Sequence, residues 1–299
     1  MAITVVGPSY LDHTIRVHGT LSLDGSRHIS QEYKHAGGTG LCYGIALARQ
    51  GNATTLFSVL GNDTIAHTIK NSVDNEANLQ AVWQQRAQAS DYAVLLLDED
   101  NHKCVASRKE ISGSWRADST FLDHIASSKA LVLTSFDNTI VLAILRSLTK
   151  SNTRKPFVMW APHFNNCAQA RILEPMLPAI DHITLSQEEY DRLHQEIGDP
   201  TKKGVKSVTA TCGKEGVALI QNGHTNRFEQ LLSIEKPLDT NGAGEAFGAA
   251  FLTALLQTND HHHAILAGSF VGAMHTERLG SDFPRIRFAR RLVGYNDEQ

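Results

Sequence analysis

Residues 239–247 read DTNGAGEAF and place three small residues and an acid where a helix is expected to begin. The run that follows, AFGAAFLTALL (246–256), is helical in character. Glycine lets backbone N–H groups approach a ligand closely, and the first turn of a helix offers unpaired N–H groups and the positive end of the helix dipole. The stretch therefore indicates a phosphate site with the acid beside the phosphate. A glycine-rich turn whose acid is favoured by the dipole alone accounts for these letters equally well.

Composition limits the classes of function. The 299 residues, 41% of them hydrophobic, can bury a large core, and we expect a single domain over 1–299. The formal net charge of −3 gives no field for a polyanion, which argues against a nucleic-acid partner. The four cysteines stand far apart, at 42, 104, 167 and 212, which argues against a disulfide or zinc scaffold.

The sequence predicts a cytoplasmic protein with no membrane partner. Its first residues, MAITVVGPSYLD, have neither a basic start nor the long apolar stretch of a signal peptide. No apolar run approaches the roughly 18 residues that a membrane helix needs.

Strand-like and helical runs alternate along most of the chain. Short β-branched runs such as ITVVG (3–7), TTLFSVLG (54–61) and ALVLTSF (130–136) are separated by helical runs such as LCYGIALARQG (41–51). Strand–helix–strand alternation over this length predicts a doubly wound α/β fold with a mostly parallel sheet.

Two segments break this alternation. Residues 14–38 have a period of two and no helical pattern, and 92–108 read as paired strands around a polar turn. We expect them to form a small β-strand lid subdomain made of approximately 13–36 and 92–110. An exposed sheet face often pairs with another copy, so a homodimer through the lid is a further expectation.

Five segments resemble the signatures of the ribokinase-like (PfkB) carbohydrate and nucleoside kinases, in that family's order. They are GPSYLD (7–12), AGGTGLCYGIALARQG (36–51), SVLGND (58–63), TCGKEGVALI (211–220) and DTNGAGEAFGAAF (239–251). The family's usual form of the last segment is DTxGAGDxFxxxF. One such match is weak evidence, but together the five cover nearly the whole chain. The resemblance implies a ribokinase-like fold and an ATP- and Mg²⁺-dependent phosphotransferase acting on a hydroxyl of a sugar, nucleoside or related small alcohol.

The resemblance also implies roles for single residues around the acceptor. Asp12 would hold substrate hydroxyls, although an aspartate after a first strand can also be an ordinary turn residue. Glu245 would accept the proton of the attacking hydroxyl. The loop beside the acceptor would contain Gly37, Gly38, Gly40 and Cys42. The anion hole for the transferring phosphoryl group would contain Gly242, Ala243 and Gly244.

Other positions match the family's nucleotide and metal sites. The nucleotide would be flanked by Ser186, Thr211, Gly213, Gly216 and Gly244. The pattern around Thr211 could equally be a hairpin between two strands. Glu189 would organise Mg²⁺ through water, although an acid pair at a helix start is favoured by the dipole alone. Asp239 and Asn241 match positions that contribute to a monovalent-cation site in several members, so K⁺ is a further expected cofactor.

The chain departs from the family pattern at several of these positions. Glu245 stands where the family has aspartate, and its extra methylene would move the carboxylate by about 1.5 Å. A displacement of about 1 Å can lower a rate on the order of a hundredfold, yet phosphoryl transfer depends mostly on positioning and electrostatics. Cys42 and Ser186 replace asparagines, and we expect Cys42, Trp115 and His163 to reshape the acceptor pocket.

These departures leave two hypotheses open. In the first, the protein is a functional kinase with a changed acceptor pocket. In the second, catalysis is lost and the protein is a sugar or nucleotide sensor or a partner subunit. The glycine loop and the acid at position 245 favour the first, because neither is needed without a phosphoryl group to transfer.

Overall fold

The computed structural model describes residues 1–286 apart from 23, 101, 151–153 and 233. Its strands are β1 (Ala2–Val6), β2 (Tyr10–Val17), β3 (Ile29–Gly37), β4 (Ala53–Leu60), β5 (Leu79–Gln85), β6 (Tyr92–Leu97), β7 (Lys103–Arg108), β8 (Ala130–Leu133), β9 (Phe157–Trp160), β10 (His182–Ser186), β11 (Ser207–Thr211), β12 (Val217–Gln221) and β13 (His224–Phe228). Its α-helices are α1 (Thr39–Arg49), α2 (Thr64–Asp74), α3 (Ser119–Ser127), α4 (Asn138–Lys150), α5 (Phe164–Ala168), α6 (Gln187–Ile197), α7 (Ala243–Thr258) and α8 (His261–His275).

The large sheet confirms the predicted doubly wound α/β fold. Within the described residues its nine strands lie in the order β13-β12-β11-β10-β9-β8-β1-β4-β5. Neighbours from β11 to β5 pair in parallel, whereas β12 and β13 are antiparallel. The chain runs outward from β1 in one direction through β4 and in the other through β8. Ligands in such sheets bind at the carboxyl ends of the strands where this reversal occurs.

The inner strands of the large sheet are covered on both faces, as their composition requires. In β8 all four residues are buried, as are the last four of β1. Continuous apolar strands of this kind are typical of parallel sheets packed between helices. The helix pair α7 and α8 packs on one side, where α7 is buried along most of its length and contacts α1.

The second sheet confirms the predicted lid. It contains four strands in the described part of the chain, in the order β3-β2-β6-β7. The pairs β2–β3 and β6–β7 are antiparallel and β2–β6 is parallel. The strand β7 is exposed along nearly all its length, in contrast with the strands of the large sheet.

The start of α1 packs closely against the residue that follows β1, because the two residues in contact, Gly40 and Gly7, are both glycines. A Cβ atom on Gly40 would stand 2.5 Å from the carbonyl carbon of Gly7. Gly38, just before the helix, has a φ of +93°, a conformation that side chains other than glycine rarely adopt. The predicted glycine loop therefore brings α1 to the carboxyl end of the sheet.

The described residues contain no helix that is both long and apolar enough to cross a bilayer.

Candidate active site

The first turn of α7 points its backbone donors into a cleft. Gly242 precedes the helix with a φ of +86°, and within the described residues no side chain caps this end. The Gly242 carbonyl oxygen accepts a hydrogen bond from the Ala246 N–H at 2.9 Å, which fixes the turn. An uncapped helix start offers N–H groups and a positive dipole end to an anion.

A cavity of about 290 Å³ adjoins this turn and brings together most of the predicted catalytic and metal residues. The predicted residues that line it are Ser186, Glu189, Thr211, Asn241, Gly242, Gly244 and Glu245. It is also lined by His163, one of the residues expected to reshape the acceptor pocket, and by Ala161, Tyr43 and Lys103.

A second cavity of about 450 Å³ adjoins the first, and Thr211, Thr240 and Gly244 line both. The larger cavity is also lined by Gly213 and Gly216, which sequence reasoning placed beside a nucleotide. Its further lining includes Ala243, Phe247, Ser269, Gly272 and Ala273, from α7 and α8. The two cavities meet at the start of α7.

The pKa of the Glu245 carboxyl is raised. Burial raises its pKa above the ordinary value, and the charge of Glu189 raises it further. Lys103 lowers the pKa, as a nearby cation does. A carboxyl whose pKa moves towards the working pH is suited to act as a general base.

Glu189 is held by the start of its own helix. Its Oε2 accepts hydrogen bonds from the Ser186 backbone N–H at 2.8 Å and from the Ser186 hydroxyl at 3.0 Å. The Ser186 hydroxyl in turn accepts a bond from the Glu189 N–H, which completes a capping box. Ser186 therefore fixes the position of the Glu189 carboxylate in the smaller cavity.

Asp12 is buried in β2 of the lid and lines neither of these two cavities. Burial, with a contribution from the Glu245 charge, raises its pKa to about 7. His35 Nε2 lies 3.6 Å from its Oδ2. A Cβ atom on Gly37 would collide with the Asp12 carboxylate, so only glycine leaves room for it. Gly37 therefore leaves the space that the Asp12 carboxylate occupies.

Cys42 is buried in α1 beside the acceptor side. Burial raises the pKa of its thiol well above the ordinary value, and the charges of Glu245 and Asp12 add to this effect. The group is therefore a neutral thiol. The charge of Glu245 contributes to the raised pKa of both Asp12 and Cys42, so the two groups lie within the electrostatic influence of the start of α7.

The prediction that Trp115 reshapes the acceptor pocket is wrong. Trp115 is fully buried in the core, where its ring contacts Phe121 and Phe136 at centroid distances of 5.2 and 5.7 Å. Its position in the chain matches a loop near the site, but the large ring is drawn into the apolar cluster because its burial removes a large area from water.

Asp239 and Asn241 lie together before α7, but their oxygen atoms already accept hydrogen bonds. Asp239 Oδ1 accepts from the Asn241 N–H, and Oδ2 accepts from the Tyr33 hydroxyl and the Gly280 N–H. The Asn241 carbonyl oxygen lies 2.9 Å from Nε2 of His275.

Sequence reasoning missed Lys103, which extends from the first residue of β7 into the smaller cavity. It also lines a cavity between the lid and residues 237–241. Strand β7 was predicted, but its outward and inward faces could not be assigned, and a single lysine on a polar strand gives no signal. His35 and His275 were missed for the same reason, since isolated histidines are common.

The comparisons with known proteins concern the family and the fold. The model of the pfkB family of carbohydrate kinases matches residues 2–286. The chain belongs to this family. The pfkB-family chain is also 26% identical over 307 residues to the ribokinase of Haemophilus influenzae, covering 93% of each chain. The functions of these relatives support the assignment of the chain as a sugar or nucleoside kinase.

Solved structures show that the fold is that of the family. The ribokinase of Thermotoga maritima superposes with a TM-score of 0.78 at 20% identity, covering 95% of this pfkB-family chain and 96% of its own. The nucleoside kinase of Methanocaldococcus jannaschii gives a TM-score of 0.79 at 16% identity and coverages of 95% and 94%. At these identities the likeness concerns the fold alone.

Proposed function

We propose that the protein is an ATP-dependent kinase that phosphorylates a hydroxyl of a sugar, a nucleoside or a related small alcohol. One observation carries the proposal. The uncapped start of α7 and the Glu245 carboxyl, with its raised pKa, lie where a large cavity meets a smaller polar one. This arrangement suits a phosphate donor on one side and a proton acceptor on the other.

The larger cavity fits a nucleotide. Its volume of about 450 Å³ lies in the range of small-molecule sites, and Phe247 gives it an apolar wall. Gly213 and Gly216, both at positive φ, let the backbone line the cavity without side chains. ATP would supply the phosphoryl group. The backbone around Gly242–Gly244 would hold its negative charge.

The smaller cavity also fits a divalent cation. Glu189 lines it and offers a hard oxygen donor of the kind that Mg²⁺ prefers. When bound, Mg²⁺ supplies positive charge to the phosphates. Glu189, fixed by Ser186, would hold it through water.

The residues do not fit a bound monovalent cation at Asp239 and Asn241. Both carboxylate oxygens of Asp239 and the backbone carbonyl oxygen of Asn241 already accept hydrogen bonds from N–H and O–H groups of the protein. We therefore route no step of the reaction through such an ion.

The chain's own residues can carry the remaining steps. Asp12 would accept hydrogen bonds from acceptor hydroxyls, and Glu245 would take the proton of the hydroxyl that attacks. Lys103 would add positive charge from the lid side, and closure of the lid would exclude water. The backbone donors at the start of α7 would stabilise the charge on the phosphoryl group as it transfers.

The acceptor class is tested by turnover. ATP-to-ADP conversion with Mg²⁺ is measured over a panel of sugars, sugar phosphates and nucleosides, and each product is checked for a new phosphate ester. We expect one chemical class to stimulate ADP formation well above the rate without acceptor. If no acceptor does so while ADP or a sugar still binds, the protein is a binding protein and the kinase proposal fails.

A further inference from the structure

The segment before α7 is tied to the end of α8 by a buried histidine. His275, the last residue of α8, has no exposed surface, and its Nε2 lies 2.9 Å from the Asn241 carbonyl oxygen. A carbonyl oxygen can only accept a hydrogen bond, so the imidazole must donate through Nε2–H. This bond holds the peptide that links Asn241 to Gly242.

The His275 ring is a neutral donor. Its other nitrogen, Nδ1, is buried and has no hydrogen-bond partner among the described residues. Its face stacks on Phe283 with centroids 4.4 Å apart and planes 12° apart. The imidazole therefore contributes one N–H group, directed at the Asn241 carbonyl oxygen.

The same ring also lies against the residue that begins the anion hole. A Cβ atom on Gly242 would stand 2.7 Å from His275 Nε2, so the two groups are in contact. Neighbouring bonds extend the connection, because the Thr276 carbonyl oxygen accepts from both Leu238 N–H, at 2.7 Å, and Asp239 N–H, at 3.1 Å. The end of α8 thus holds the chain from residue 238 to residue 242.

We propose that His275 positions the anion hole. A monovalent cation would hold this loop by binding the Asn241 carbonyl and the Asp239 carboxylate, and His275 replaces it. Monovalent cations need several oxygen ligands, and here the Asn241 carbonyl oxygen accepts a hydrogen bond from an imidazole N–H. The carboxylate oxygens of Asp239 accept hydrogen bonds from Asn241, Tyr33 and Gly280. The protein is therefore independent of K⁺. This inference rests on the proposed kinase function for its catalytic consequence, but its structural part does not.

The experiment replaces KCl by tetramethylammonium chloride at constant ionic strength. Turnover, ADP affinity and melting temperature of the wild-type protein are measured in both salts. ADP affinity and melting temperature can be measured without an acceptor. We expect none of the three to change in the wild type. His275→Ala should lose on the order of tenfold in ADP affinity and in kcat/KM, as expected for a lost buried hydrogen bond beside the site. Part of the loss should return in KCl only.

Two further variants make the readout specific. His275→Gln keeps an N–H donor near the Asn241 carbonyl and should retain most of the ADP affinity with no response to K⁺. His262→Ala, an exposed histidine at the other end of α8, should behave as the wild type. A melting scan of each variant separates lost folding from lost binding.

Two results would overturn the inference. The first is a wild-type protein whose ADP affinity or melting temperature rises with KCl but not with tetramethylammonium chloride. The second is a His275→Ala protein that binds ADP as the wild type does. If instead ADP binds normally but no acceptor is phosphorylated, the proposed kinase function fails while the role of His275 in positioning the loop still stands.

Discussion

The phosphoryl side and the acceptor side of the site are built from different material. The phosphoryl side consists mainly of backbone, supplied by the start of α7 and by Gly213 and Gly216. The acceptor side consists of ionisable side chains, among which Asp12 has its pKa raised to about 7. Backbone donors do not titrate, whereas the pKa of a buried carboxyl changes with the charges around it. The first side can therefore stay constant while the second changes with the substrate.

Breaking the phosphoryl side should give the largest effect. Gly242→Ala would place a side chain at a φ of +86° and 2.7 Å from His275. The resulting shift of the anion hole should lower kcat by about a hundredfold. Turnover and ADP affinity are measured together with the melting temperature.

The control for this variant is Gly51→Ala. Gly51 has nearly the same φ, +85°, but a Cβ atom there meets nothing within 4 Å. Gly51→Ala should lose only the stability that the positive φ costs, Gly242→Ala should lose more because of its contact with His275, and only Gly242→Ala should lose activity. Equal activity in the two would show that the backbone around Gly242 does not hold the transferring group.

The acceptor side is tested through stability. The pKa of Asp12 in the folded protein, about 7, lies above the ordinary value of 3.8. Folding therefore penalises the ionised carboxylate. This loss of stability is absent below about pH 4, grows as the pH rises and is complete above about pH 7. At pH 8, Asp12→Asn should raise the free energy of unfolding on the order of 2 kcal/mol.

Urea unfolding at pH 8 and at pH 4 checks this expectation, with Asp24→Asn at an exposed position as the control. The Asp12→Asn protein should also lose acceptor turnover, which would link the strain to function. If Asp12→Asn changes stability relative to the wild type by the same amount at both pH values, or is less stable than the wild type at pH 8, Asp12 is not destabilising when ionised and this part of the account is wrong.

Lys103 should give the smallest of these effects because it is exposed on β7. Lys103→Met should lower kcat/KM by about tenfold, since one mobile positive charge is lost from the lid side of the smaller cavity. Lys103 also lowers the pKa of Glu245 and of Asp12, so its removal should move the acid limb of the kcat/KM profile to higher pH.

The pH profile of Lys34→Met, an exposed lysine of the same lid, serves as the comparison. A limb that moves in both variants would mean that the lid charge acts only at long range. A limb that stays in place in Lys103→Met would place this lysine outside the site.

Most of the fold could be predicted because the inner strands are short apolar runs between helical ones. Two strands of the large sheet were not predicted. Strand β5, LQAVWQQ, is rich in glutamine, and β13, HTNRF, is an exposed edge strand with no apolar pattern. Edge strands face water on one side and carry the weakest periodic signal.

The candidate site could be predicted where its residues fall in glycine motifs or beside a helix start, as for Gly242–Gly244, Glu245 and Thr211. It could not be predicted where contacts between distant parts of the chain determine the position of a side chain. Trp115 was expected at the pocket but lies in the core. His275 reaches Asn241 only because the end of α8 lies beside the loop before α7, a contact between positions 34 apart.

The measurement that tests the central claim most directly compares kcat for the wild type, Glu245→Gln and Glu245→Asp with the acceptor found by the panel, alongside ADP affinity on the same samples. Glutamine keeps the shape but cannot take a proton. We predict that Glu245→Gln loses at least about a hundredfold in kcat with ADP affinity unchanged, while Glu245→Asp keeps a measurable rate. Wild-type turnover by Glu245→Gln would contradict the claim that Glu245 is the base.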